Sequence, residues 1–93
     1  MEVIYKQKLE RKAWQGLELP KGSKILEVAI QNKEIFIWYL FNEENKADLK
    51  EFDFQIIGTG DWFNLSKDYR HIGTVHEFNK QNYVWHIFTN LPC

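Results

Sequence analysis

Lys24–Phe41 reads KILEVAIQNKEIFIWYLF, and this stretch decides the fold class. Two apolar runs flank Asn32-Lys33-Glu34, which is too short to be more than a hairpin turn. In the first run Leu26, Val28 and Ile30 are expected on one face, with Ile25, Glu27, Ala29 and Gln31 on the other. The second run, Ile35 to Phe41, is apolar at every position. A strand apolar on both faces is expected at the centre of a sheet, covered on both sides.

Strand signals continue outward from this hairpin. Glu2–Leu9 alternates with Val3, Tyr5 and Leu9 on one face, and Ala13–Leu19 holds a short second strand. Pro20-Lys21-Gly22-Ser23 is turn chemistry, because Pro fixes φ and Gly accepts φ > 0. Asn42–Lys50 carries five charges and reads as an exposed loop with room for one helical turn. Glu51–Ile57 alternates with Phe52, Phe54 and Ile56 inward and ends in Gly58-Thr59-Gly60. Asp61–Asp68 is irregular, Tyr69–Phe78 is a strand, Asn79–Asn82 a turn and Tyr83–Thr89 a last strand. The expectation is an all-β chain: residues 1–93 as one domain, a small antiparallel sandwich or partly open barrel of six to seven strands.

Composition narrows the function. Twelve Lys and Arg against thirteen Asp and Glu leave a net charge of −1. Such a surface has no basic field to gather nucleic acid non-specifically. No run of about 18 apolar residues is present, so no membrane span is expected. Met1–Glu10 is mixed and polar, so no signal peptide is expected. One cysteine, Cys93, excludes an intramolecular disulfide and suits a reducing, cytoplasmic compartment. Seven Phe, four Trp and four Tyr are many for 93 residues. They serve either a β-sheet core or a ligand pocket or oligomer interface.

Candidate sites are few. If Asn79–Asn82 is a four-residue loop, Phe78 pairs with Tyr83 and His86 opposes Val75. One face of that hairpin then carries Ile72, His76, Phe78, Tyr83, Trp85 and Ile87, and the other His71, Val75, Val84, His86 and Phe88. His71 and His86 would lie roughly 13 Å apart, too far to share an ion, so no metal site is expected. Both faces are substantially apolar, which asks for a second sheet or a second subunit over each. A homodimer or higher homo-oligomer is expected, buried at Trp38, Tyr39, Val84, His86 and Phe88. Gly58-Thr59-Gly60 lacks the Gly-Lys-Ser/Thr of a P-loop and the third Gly of a dinucleotide fingerprint. It reads as a tight turn or a small backbone nest for an anion. Trp62, Phe63, Arg70 and His71 lie close enough in sequence to complete a partner- or ligand-binding surface with Gly58, Thr59 and Gly60. Ser23 and Ser66 have no nucleophile-elbow context. Asp61, Asp68 and Glu77 are in no spacing that demands acid–base work, and Cys93 is terminal. No enzyme and no cofactor is expected.

The order of short segments is informative. Leu19-Pro20-Lys21-Gly22-Ser23-Lys24-Ile25-Leu26, Gly58-Thr59-Gly60, Tyr69-Arg70-His71-Ile72-Gly73-Thr74 and Val84-Trp85-His86-Ile87-Phe88 follow one another along the chain. This series resembles a family of short phage and prophage proteins of unknown function, with LPxGAxIL, GTG, YIGT and VWHVF-like segments. Ser23 departs from the usual Ala, and Trp62-Phe63-Asn64 stands where a Pro-rich or acidic stretch is usual. The resemblance implies a phage-encoded accessory protein of the host bacterial cytoplasm, with no catalytic assignment. On that footing the expected function is to antagonise host defence by binding and inhibiting a bacterial immune protein. The alternatives are a sponge for a nucleotide-like immune signal and a structural, virion-associated oligomer.

Overall fold

The computed structural model describes residues 1–78 and 81–92. Asn79 and Lys80 of the expected 79–82 turn, and Cys93, lie outside the described residues. Seven strands form: β1 (Glu2–Leu9), β2 (Gln15–Pro20), β3 (Lys24–Gln31), β4 (Glu34–Asn42), β5 (Leu49–Gly58), β6 (Arg70–Glu77) and β7 (Tyr83–Thr89). A 3-10 turn, Glu43–Asn45, separates β4 from β5. Its first N–H groups are capped by Asn42, whose side-chain oxygen accepts from the Glu44 N–H. The strands build two antiparallel sheets, a three-stranded one in the order β1-β4-β3 and a four-stranded one in the order β2-β5-β7-β6. Neither closes into a barrel, so the chain is an all-β sandwich.

The deciding hairpin folds as its sequence asks. Asn32 and Lys33 take φ of 52° and 67°, the two left-handed positions of a two-residue turn whose twist matches the strands it joins. β4 is central in its sheet and alternates strictly. Ile35, Ile37, Tyr39 and Phe41 are buried, while Phe36, Trp38 and Leu40 on the outer face are half-buried. The expected cover on both faces is therefore present on one. β3 departs from simple alternation, because a bulge shifts its register between Ile25 and Glu27. Ile25 and Val28 both face the core, and Leu26, expected beside Val28, is 46% exposed.

The β6–β7 hairpin corrects a second expectation. Glu77, not Phe78, pairs with Tyr83, so the connection is one residue longer than expected. A one-residue change of register moves side chains to the opposite face. Val75 opposes Trp85 and is buried, whereas His76 opposes Val84 on the outside. The same register sets Thr74 opposite His86, and a bulge between His71 and Gly73 shifts it again, so that His71 opposes Phe88.

The two inner faces meet in one cluster of Leu9, Leu19, Val28, Ile35, Ile37, Tyr39, Phe41, Phe54, Ile56, Val75, Ile87 and Leu91. Burying each large side chain stabilises the fold by about 1.5–3 kcal/mol. The sheets come closest along β3 and β6. A Cβ built on Gly73 would stand 3.0 Å from the Val28 Cβ and 3.2 Å from its Cγ2, so a side chain there would push Val28 away by a few tenths of an ångström. At one end of the sandwich Arg11 ties the layers together. Its guanidinium donates to both carboxylate oxygens of Glu77 on β6, at 3.1 Å each, and to the Lys33 carbonyl of the β3–β4 turn at 2.7 Å. The Trp85 indole N–H donates to the same Glu77 carboxylate at 2.7 Å.

Two outcomes are expected from these contacts. Gly73→Ala forces a methyl into Val28 and should cost about 1–3 kcal/mol, as overpacking does, measured by urea denaturation. Glu77 carries its charge more readily in the fold: the Trp85 hydrogen bond, followed by Arg11, holds its carboxyl below the ordinary value of 4.5. A lowered folded pKa contributes stability above the unfolded value, and that stability is lost as pH falls through the folded value. Denaturation titrations should therefore fall less steeply below about pH 4.5 in Glu77→Gln than in the parent.

Candidate functional site

The outer face of the β2-β5-β7-β6 sheet is the most elaborated surface. The 59–69 loop, expected to be irregular, folds back over it. Both ends of the loop are fixed. The Asp61 N–H donates to the Gly58 carbonyl, the Asp61 carboxylate accepts from the Gly58 N–H, and Gly60 sits at φ +93°. At the far end the Tyr69 N–H donates to the Ser66 carbonyl, and the Tyr69 hydroxyl donates to the Asp53 carboxylate at 3.2 Å. Burial, and then the Asp53 charge, push the Tyr69 phenol above its ordinary value. Between the ends the Phe63 ring rests on Phe88 with centroids 5.6 Å apart. Ile57, on the same outer face by strand alternation, is 5% exposed although it lies outside the core cluster. Trp62 is 100% exposed.

A polar chain runs across the face beside the loop. The Thr59 hydroxyl lies 2.8 Å from His86 Nε2, the Thr74 hydroxyl 3.1 Å from His86 Nδ1, and His71 Nε2 2.9 Å from the same Thr74 hydroxyl. The histidine tautomers set the direction of this chain: either His71 donates to Thr74, Thr74 to His86 and His86 to Thr59, or all three bonds run the other way. The His71 and His86 rings stand 6.5 Å apart, about half the expected separation, because of the register change and the bulge. Two histidines are brought together here, yet among the described residues no group of three or more His, Cys, Asp or Glu side chains could hold a metal ion.

The expected site residues divide. Gly58, Thr59, Gly60, Trp62, Phe63 and His71 lie on or beside this face. Arg70 does not: it opposes Thr89, and its guanidinium donates to the Leu91 carbonyl, as alternation with His71 requires. The glycine turn is a turn and not an open anion nest. Its Gly58 N–H is taken by Asp61, the Thr59 N–H by the Val84 carbonyl, and the Asp61 N–H by Gly58. The expected oligomer interface also divides. Val84, His86 and Phe88 lie on this face, Trp38 on the outer face of the opposite sheet, and Tyr39 in the core at 7% exposure. One contiguous interface through all five is therefore excluded. Sequence reasoning missed Thr74 and Gln55. Thr74 faces His86 through the hairpin register, and the bulge brings His71 to it. The Gln55 side-chain oxygen is buried with no hydrogen-bond partner beside Phe88, its cross-strand neighbour. It also missed a cleft of about 750 Å³ along the β3–β6 seam, lined by Val28, Ile30, Lys33, Val75, His76 and Phe78.

The sequence matches the model of a domain of unknown function, DUF7352, over residues 1–92. The chain belongs to the DUF7352 family. No curated protein and no solved structure matches it. As a DUF7352 sandwich it contains, among the described residues, no helix long and apolar enough to cross a membrane.

The loop geometry separates Trp62 from Phe63 in a way that can be measured. Trp62→Ala removes no intramolecular packing and should leave the melting temperature within about 2 °C. Phe63→Ala uncovers Phe88 and should cost about 1 kcal/mol, a fall of roughly 4–8 °C for a domain of this size.

Proposed function

We propose that this DUF7352 domain is a non-catalytic binding protein that engages a protein partner through the 59–69 loop and the outer face of β7. The observation that carries this reading is the complete exposure of Trp62 on a loop anchored at both ends. A flexible loop exposes whatever it carries, but this loop is held, so Trp62 is presented. Large exposed aromatics cost solubility unless they bind, and Trp is the residue most enriched where binding energy concentrates. The unpartnered Gln55 oxygen adds to the case, since a buried acceptor without a donor costs about 1–3 kcal/mol.

The resemblance to short phage proteins supplies the partner class. On this reading the protein is a phage-type accessory factor that antagonises host defence by inhibiting a bacterial immune effector. A nucleotide-like ligand is less favoured. The Gly58 and Thr59 N–H groups are already bonded, the Asp61 carboxylate accepts from Gly58, and the Arg70 guanidinium donates to the Leu91 carbonyl. The test is to mix the protein with a panel of purified bacterial immune effectors and follow both complex formation and effector activity. Complex formation with inhibition is expected for the parent and for Thr59→Ser. Both should fall at least tenfold for Trp62→Ala. Neither complex nor inhibition across the panel, or an unaffected Trp62→Ala, would overturn the reading.

A further inference from the structure

The opposite side of the sandwich carries a second surface that the proposed function does not use. The outer face of the β1-β4-β3 sheet is a stripe of Phe36, Trp38 and Leu40 along the central strand, extended by Ile4, which is 54% exposed. Phe36 and Trp38 lean together with centroids 6.0 Å apart. The Lys6 ammonium reaches across β4, 4.6 Å over the Phe36 ring, and donates to the Gln31 side-chain oxygen at 2.6 Å, which places Lys6 on this same face.

The charges around the stripe are arranged in cross-strand rows. Trp38 is flanked by Lys6 on β1 and by Glu27 on β3, opposite charges at the same height on either side. The row below is Lys8-Phe36-Ala29, and the row above is Ile4-Leu40-Lys24. A two-fold axis parallel to β4 and passing over Trp38 lays β1 of one copy on β3 of the other. In the backbone rows Lys6 of each copy then stands opposite Glu27 of its partner, twice by symmetry, and Trp38 meets Trp38; pairing turns each Lys6 ammonium from Gln31 to the partner's Glu27. Lys24 faces Ile4 and Lys8 faces Ala29, so lysine stems cover apolar side chains and no like charges meet. A two-fold axis perpendicular to the strands at the same point fails, because it sets Lys6 on Lys6 and Glu27 on Glu27. The face is thus self-complementary in one orientation, as an isologous interface must be.

We propose that the outer face of the β1-β4-β3 sheet is the homodimer interface of this protein, with the two β4 strands running parallel across a two-fold axis over Trp38. The dimer leaves both 59–69 loops facing outward, away from the axis, so two copies of the partner surface are displayed. Electrostatic complementarity of this kind fixes orientation and rejects the wrong pairing.

The test uses paired charge reversals read by light scattering and sedimentation, with circular dichroism and melting curves to show that each variant is folded. The parent is expected to be dimeric at 100 µM or below, on the order of ordinary weak-dimer affinities. Lys6→Glu alone and Glu27→Lys alone each create two like-charge contacts, and each should dissociate at least tenfold more readily. An equimolar mixture of the two single variants should form a heterodimer of near-parent affinity, because both contacts become complementary again. The double variant Lys6→Glu/Glu27→Lys should also recover dimerisation, and Trp38→Glu should be monomeric. A monomeric parent at 100 µM would overturn the proposal, as would a dimer indifferent to Trp38→Glu. So would a mixture of the single variants that associates no better than either alone. Loss of the dimer leaves effector binding by Trp62 measurable in the same variants, so the two readings fail separately.

Discussion

Packing of two inner sheet faces against each other is the interaction on which the rest of this structure rests. Ninety-three residues make two layers, and two layers have four faces. Folding covers the inner pair. The cover depends on a close approach of the sheets at one seam, where Val28 on β3 meets the bare backbone of Gly73 on β6. Arg11, reaching from the β1–β2 connection to Glu77 and the Lys33 carbonyl, fixes the end of that seam. Both devices hold the layers in one relative position, and the outer faces inherit their geometry from it.

The two outer faces are treated differently. On the β2-β5-β7-β6 sheet the 59–69 loop supplies part of the missing third layer, with Phe63 against Phe88. Trp62 stands beyond it. On the β1-β4-β3 sheet no segment of the described chain lies over Phe36, Trp38 and Leu40, which remain half-buried under the stems of neighbouring side chains. The protein thus divides its aromatics among a core, a presented loop and an open sheet face. That division accounts for a content too high for the core alone.

The polar chain Thr59–His86–Thr74–His71 shows how local irregularity creates a site. A regular β6 would have alternated past it. The bulge at Ile72 resets which residues of β6 oppose β7, and the longer β6–β7 connection resets it once more. Together they bring two histidine rings to 6.5 Å and slot a threonine hydroxyl between them.

Alternation is a local property, so the sequence alone determined the strands, the sandwich class and the inward set Phe52, Phe54 and Ile56 on β5. Turn chemistry is equally local, and Asn32-Lys33 and Gly58-Thr59-Gly60 were legible as turns before any fold was known. The aromatic loop too was legible as a candidate surface, because Asp61 and Asn64 bracket Trp62 and Phe63 with polar residues. Register is different. Which residue of one strand opposes which of another depends on connection length and on bulges, and neither a bulge at Leu26 nor one at Ile72 has a signal in hydrophobic period. Tertiary structure alone therefore decided that Arg70 leaves the site, that Tyr39 enters the core while Trp38 stays outside, and that His71 joins His86. It also decided that Trp38 and Phe88 lie on opposite sides of the molecule. The physical reason is that side-chain direction within a strand is set by neighbours one residue away, whereas the partner across a sheet is set by the whole path of chain between them.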